Sequence, residues 1–306
     1  MKAQLALHEE VAAALAEGRP LVALESTVIA QGLPYPRNLE AAVRMEVALR
    51  AAGAVPAMAA VLSDRITLGL TAAELERLAR GKGFAKASRR DLARLVASGG
   101  DGATTVSATM VVAQAAGIPI FATGGIGGVH RGAAESHDIS ADLTELARTP
   151  VAVVAAGAKA ILDLPATLEV LETAGVPVVG YGTDSFPAFY ARDSGLPLEA
   201  RVDTPAEAAA LLQAQRDLGL ATGILIANPP PEEVAIPREM LEGWIGQALN
   251  DSTARGVRGK AVTPFLLARL SELSGGRTLE ANLALLESNA RVAAEIAVAW
   301  SGLRTN

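Results

Sequence analysis

The chain has 306 residues, 50% of them hydrophobic but only 3% aromatic, with a net charge of −6 and no cysteine. The acidic balance and the lack of any dense Lys/Arg run exclude nucleic acid and an anionic membrane as expected partners. Without cysteine there are no disulfides, no thiolate metal site and no cysteine nucleophile.

In chain order, MKAQLALHEEVAAALAEG reads as an amphipathic helix interrupted by Glu9 and Glu10, not as a signal peptide. Short apolar segments then alternate with helical patterns. LVAL (21–24), PAMAAVL (56–62), IPIFAT (118–123), VAVVAA (151–156), VPVVGY (176–181) and GILIAN (223–228) have the composition of strands buried on both faces. NLEAAVRMEVALRAAG, TAAELERLARG, SRRDLARLVASG and TPAEAAALLQAQRDLG carry helical periodicity, several with an N-cap residue before them and glycine after. A further helix is expected directly after Lys159, in ILDLPATLEVLE. The last third is mostly helical, with VAIPREMLEGWIGQALNDS, TPFLLARLSELSGG and TLEANLALLESNARVAAEIAVAW. This pattern predicts a single domain over residues 1–306. Its expected fold is α/β, a three-layer α/β/α arrangement with a largely parallel or mixed central sheet and a helical C-terminal region. No apolar run approaches the ~20 residues of a membrane span, so a soluble cytoplasmic protein is expected.

Ligands of open α/β sheets bind beyond the carboxyl ends of the strands. Polar residues gather after these segments: Glu25, Ser26 and Thr27 after LVAL, then GGIGGVHRG with His130 and Arg131 after IPIFAT. Asp138, Ser140 and Asp142 follow, then Lys159, the Thr183–Asp184 pair and Asn228.

Lys159 ends an uncharged run, VAVVAAGAK. Burial there can favour the neutral amine, a nucleophile toward aldehydes and latent aldehydes such as sugar anomeric carbons. A lysine that snorkels to solvent satisfies the same pattern. Glu25 could act as a general acid or base, although a lone glutamate more often pairs with a neighbouring arginine, here Arg37. The glycine loop fits neither a GxxxxGKS phosphate loop nor a dinucleotide fingerprint, although its glycines allow close backbone approach to an anion. Ser140 fits an N-cap before ADLTELAR, where a helix start favours phosphate. Asp138 could hold a hard divalent cation that keeps several waters, or could simply terminate a turn. His130 is one of three histidines, too few for a zinc site.

Taken together, VALESTVIAQGLPYPRNLE, AKASRRDL, TTVSATM, FATGGIGGVHRG, DISADL, VAVVAAGAKAILDLPATLE, GYGTDSFPAFY, ANPPPEE and NARVAAEIA closely resemble the pseudouridine-5′-phosphate glycosidases. That family includes the indigoidine synthase A-like proteins, and the resemblance runs from about residue 5 to the C-terminus. It implies reversible cleavage of the C–C glycosidic bond of pseudouridine 5′-phosphate to uracil and ribose 5-phosphate, with a divalent metal, manganese favoured. By motif position it implies Lys159 as the Schiff-base nucleophile, Glu25 as the proton donor and Asp138 as the metal-anchoring carboxylate. It further implies Lys86, Val106, Ser140, Ala141 and Asp142 as substrate contacts. His130 and Thr123 are added on the phosphate side, and Asn289 as a sugar contact. A homo-oligomer, with a trimer favoured, and a separate pseudouridine kinase upstream are also implied.

Two positions depart from the family pattern: Ser185 replaces a common second acid, and Ala155 a common cysteine. Neither is an assigned catalytic residue. Two other functions share the same features. A Schiff-base sugar-phosphate aldolase would use Lys159 and the phosphate site but split the sugar's own carbon chain. A metabolite-binding protein would keep the pocket without chemistry, against which the presence of both Lys159 and Glu25 weighs.

Overall fold

Each of the six apolar runs forms a strand in the computed structural model, which describes residues 5–257 and 262–303. In chain order the strands are β1 (Leu5–Leu7), β2 (Leu21–Leu24), β3 (Val55–Leu62), β4 (Arg65–Leu68), β5 (Ala85–Ala87), β6 (Gly102–Thr104) and β7 (Ile120–Ala122). Then follow β8 (Val129–His130), β9 (Ala152–Ala155), β10 (Leu162–Asp163), β11 (Val178–Tyr181), β12 (Ala200–Val202) and β13 (Ile224–Ala227).

The main sheet runs β1-β4-β3-β2-β7-β9-β13-β11-β12, with β5 and β6 attached beside β3. It is parallel from β3 through β12, while β3 pairs antiparallel with both β4 and β6. The sheet is therefore mixed. Every residue of β2, β7, β9 and β13 is buried. A strand covered on both faces has no polar side to alternate with, which explains the continuous apolar runs. Helices flank the sheet and complete the three-layer arrangement, and one continuous apolar core runs through it.

Local signals place the helices. Thr71 with Glu74, Ser88 with Asp91, and Thr204 with Glu207 each form a reciprocal capping box. The start of the chain differs from expectation. Helix occupies only Glu9–Glu17, and Leu5–Leu7 instead pairs with β4, Leu5 opposite Ile66. The exposed edge of β4 offers backbone partners that a fraying first helical turn lacks. The helix expected directly after Lys159 begins only at Leu164, because Leu162 and Asp163 first pair with Val129 and His130. The helix Val106–Ala116 carries no polar stripe to announce it; its first eight residues are all buried.

The final helix, Arg277–Leu303, is more than a cover. It packs on β2, β7 and β9 and on the helices Arg37–Ala51 and Pro205–Asp217. Asn289 fastens it to the sheet. Its Nδ2 donates to the Thr123 carbonyl at 2.7 Å, and its Oδ1 accepts from Asn228 Nδ2 at 2.8 Å. Among the described residues no helix is long and apolar enough to cross a membrane.

Asn289 is only 1% exposed, so replacing it should orphan buried groups. Asn289→Leu should lower unfolding free energy by about 2–4 kcal/mol, read from urea midpoints, because the Thr123 carbonyl and Asn228 amide both lose a partner.

Candidate active site

The parallel register sets the site. Leu24 lies beside Ala122, Ala122 beside Val154, and Ala155 beside Ala227. Residues that follow β2, β7 and β9 line, with others, a cavity of about 620 Å³. Glu25, Lys86, Val106, His130, Asp138, Ser140, Ala141, Asp142 and Lys159 all line it. Thr123 and Asn289 do not.

Glu25 is 7% exposed. Its Oε2 accepts from the Thr27 hydroxyl and its Oε1 from the Thr123 hydroxyl. Arg37 is not its partner; that guanidinium pairs with Glu40 and Glu280. Thr123, expected on the phosphate side, is 1% exposed and stands behind Glu25 as a support. Thr27 begins a π-helical turn, Val28–Gly32, that bends the chain away from the strand end. Such turns recur at functional sites.

Lys159 is held through its backbone. Its N–H donates to the Ile126 carbonyl at 3.1 Å, and its own carbonyl accepts from Leu162 N–H at 3.0 Å. Ile126 N–H in turn donates to the Gly157 carbonyl at 3.0 Å. Gly157 sits at φ 74°, and a side chain there would strike the Pro187 carbonyl. Only glycine lets the chain turn here and deliver Lys159 to the cavity.

The glycine loop is braced by Asp142. Asp142 Oδ2 accepts from Gly127 N–H at 2.8 Å and Oδ1 from Ser107 N–H at 2.9 Å. Gly127 has no room for a Cβ, which would lie 2.8 Å from Asp142 Oδ2 and collide with the Ser140 hydroxyl. Ser140 caps the helix Ala141–Leu146 as its position predicts, accepting from Asp142 N–H at 3.2 Å. Asp142 thus has both carboxylate oxygens occupied by backbone donors. Close by, Val106 opens the helix Val106–Ala116 with Thr105 as its cap. A helix start of this length presents N–H groups that favour an anion.

His130 and Asp138 complete the rim. Burial pushes the His130 imidazole below its ordinary range; Asp138 opposes this, while Lys159 and Lys86 reinforce it. His130 is therefore close enough to Asp138, Lys159 and Lys86 to feel each of them. His130 N–H also donates to the Asp138 carbonyl at 3.0 Å. Among the described residues no three His, Asp or Glu side chains gather as a metal cage. A single exposed carboxylate on a polar rim fits a hard divalent ion that keeps most of its waters.

The cavity is also lined by residues to which the sequence reading gives no role, among them Thr27, Arg90, Phe189 and Asn282. Thr27 had a signal, a hydroxyl two residues after the acid. Arg90 shares a cluster with Arg89, yet their roles differ: Arg89 pairs with the fully buried Glu145 at 2.7 Å, whereas Arg90 faces the cavity. Phe189 holds φ 61°, unusual for a bulky residue. Its ring lies where any side chain on Gly125 would have to go, 2.6 Å from the Cβ position.

The family model for indigoidine synthase A like protein matches residues 10–299. The chain belongs to that family. Relatives named pseudouridine-5′-phosphate glycosidase include one from Caldanaerobacter subterraneus subsp. tengcongensis, 56% identical over 95% of this chain and 95% of its own length. Another, from Deinococcus radiodurans, is 57% identical over 98% of this chain and 96% of its own. The structure of the prealnumycin C-glycosynthase AlnA in complex with ribulose 5-phosphate superposes with a TM-score of 0.91 at 42% identity, covering 98% of each chain. An indigoidine synthase A-like protein from Thermotoga maritima gives a TM-score of 0.88 at 38% identity, covering 97% of this chain and 96% of the other.

The Asp142 brace predicts a specific loss. Asp142→Asn keeps the shape but offers one carbonyl where two backbone N–H groups need acceptors. The variant should lose about 1–3 kcal/mol of stability. A melting curve matching the wild type would show that the brace is dispensable.

Proposed function

We propose that the chain reversibly cleaves the C–C glycosidic bond of pseudouridine 5′-phosphate, giving uracil and ribose 5-phosphate. The observation that carries this reading is the meeting of Lys159 and Glu25 in one cavity whose other wall suits a phosphate. The names of relatives above 50% identity support the same reaction. AlnA, a C-glycosynthase, was captured with a pentulose 5-phosphate, which supports a sugar phosphate as the ligand class. These names also weigh against an aldolase that splits the sugar chain.

A carbon-linked base has no leaving oxygen to protonate, so the two-carboxylate route of ordinary glycosidases does not serve. Under this proposal the Lys159 amine attacks C1′ and displaces O4′, opening the ring; the proton the amine sheds passes to O4′, which becomes a hydroxyl, and leaves a neutral secondary amine. Glu25 delivers a proton to uracil C5. The nitrogen lone pair then forms the C1′=N iminium as the C1′–C5 bond breaks and uracil departs. Water hydrolyses the iminium to ribose 5-phosphate and frees the amine. Thr27 and Thr123 suit the acid's role, since a hydroxyl can donate to a carboxylate or accept from a carboxylic acid. Lys86, the start of the helix at Val106 and the Ser140–Asp142 turn would receive the phosphate, with His130 beside them.

Asp138 would hold a divalent ion, manganese favoured, which supplies local positive charge at the sugar phosphate. The substrate must arrive already phosphorylated, so a separate pseudouridine kinase is part of the proposal. A cytoplasmic homotrimer is its expected setting.

Incubation with pseudouridine 5′-phosphate and manganese should release free uracil; no release would sink the reading. Borohydride added with ribose 5-phosphate should trap an adduct on Lys159 that Lys159→Ala abolishes. Mapping of the adduct to Lys86 would reverse the roles. Glu25→Gln should still trap, yet its turnover should fall by roughly 10²–10⁴, the usual worth of a positioned acid.

The metal has its own check. Exhaustive chelation should remove activity, and manganese should restore it with no change in circular dichroism. Full activity after chelation would remove Asp138 from its assigned role.

A further inference from the structure

Arg131 follows His130 in the glycine-rich loop, yet it stands outside the cavity that His130 lines. Its guanidinium turns instead to the segment after Lys159. Nε donates to the Leu162 carbonyl at 3.3 Å, and Nη2 to the Ala160 carbonyl at 3.5 Å. Nη2 also meets both carboxylate oxygens of Glu242 at 3.2 Å, on the helix Arg238–Ala254. A planar group with several fixed N–H donors can bridge two carbonyls and a carboxylate in this way; a lysine ammonium cannot.

The place of these carbonyls decides what the contact holds. Upstream, Lys159 is fixed by its N–H on the Ile126 carbonyl, and Ala158 bridges Ile126 in parallel. Downstream, its carbonyl accepts from Leu162 N–H, and Leu162 and Asp163 pair with His130 and Val129. That second anchor is a ladder of two residue pairs, too short to be firm by itself. Thr167 fastens its far end, accepting from Val129 N–H at 3.0 Å and donating to the Asp163 carbonyl at 2.6 Å. Arg131 fastens the near end, folding back onto carbonyls one and three residues past Lys159. Its side chain is 34% exposed and that of Glu242 47%, and ion pairs so exposed add little to global stability. The consequence of the contact is therefore local, in the turn that delivers the amine.

We propose that Arg131 is a positioning residue for the Lys159 nucleophile. It holds the turn from Ala160 to Leu162 so that the amine stands within reach of C1′, without itself touching sugar or phosphate. This inference rests on the glycosidase reading above. A misplacement of about 1 Å in a reacting group can cost on the order of a hundredfold in rate.

Ribose 5-phosphate with excess borohydride isolates the step. The amine adds to C1 of the open-chain aldehyde, water leaves, and hydride from borohydride reduces the C=N bond to a stable amine. Arg131→Met keeps the stem and removes every N–H donor. Its rate of adduct formation at saturating sugar phosphate should fall by about ten- to a hundredfold, and kcat for uracil release should fall with it. The ribose 5-phosphate concentration that half-saturates trapping should stay within about twofold, because the groups suited to phosphate are untouched. Arg131→Lys keeps the charge facing Glu242 but cannot hold both carbonyls, so it should recover only part of the rate. It carries the same readout if Arg131→Met does not fold by circular dichroism. A folded Arg131→Met variant that traps at the wild-type rate overturns the assignment. So does a rise in half-saturation with no change in maximal rate, which would place Arg131 at the phosphate. Wild-type protein that forms no adduct and releases no uracil would instead mark failure of the glycosidase reading.

Discussion

Parallel pairing of β2, β7, β9 and β13 brings the ends of four buried strands to one level, and the site depends on that alignment. Strands covered on both faces must be apolar along their length, so the first polar residue of each chain segment falls where the strand emerges. Glu25, Thr123 and Asn228 occupy those first positions, and Lys159 follows after one glycine-dependent turn. The final helix then closes the same edge through Asn289, which bonds the residues leaving β7 and β13 at once. Site and core are consequently not separable layers. The contacts that anchor the last helix also fix the backbone that carries Thr123 to Glu25.

Beyond this edge a second polar network supports the anion side. Glu145 is fully buried and is surrounded by donors: Arg89 at 2.7 Å, Arg148 at 3.1 Å, the Thr149 hydroxyl, and Ser107 Oγ at the limit of 3.5 Å. A buried carboxylate is tolerable only with such compensation, and loss of a partner is more costly than loss of the pair. Glu145 ties together the helices Arg89–Ser98, Val106–Ala116 and Ala141–Leu146. All three begin at the cavity, so the pairs hold three helix starts in register at the place proposed for phosphate.

Much of this was legible in the sequence, for definite reasons. The six buried strands announce themselves because full burial forbids polar residues, and Thr71, Ser88 and Thr204 announce helices because each has its acid three residues on. The short strands β5, β8, β10 and β12 have two or three residues each, too few for a period to show. Their existence depends on a neighbour's edge, a non-local fact. The same limit applies within the site. Lys159 and Glu25 stand out because charge after an apolar run is visible along the chain. The commitment of Thr123 to Glu25, and of Asn289 to the sheet, is decided by groups 98 and 166 residues away. Asn282 and Asn289 lie on one helix and look equivalent in sequence. They differ in what faces them: Asn289 has its amide satisfied on both sides, while the buried Asn282 Oδ1 has no partner.

The two carboxylates nearest the glycine loop show how partner type can assign roles. Both Asp142 and Glu25 are nearly buried, at 6% and 7% exposure, and both have two hydrogen-bonded oxygens. Asp142 faces two backbone N–H groups, which can only donate. Both of its oxygens are therefore committed to backbone donors, and Asp142 suits a rigid brace. Glu25 faces two threonine hydroxyls, each able to turn and accept. Its surroundings can follow a proton on and off the carboxyl without leaving a buried group unpaired. Between two acids of equal burial, that difference supports Glu25 rather than Asp142 as the acid of the proposed reaction.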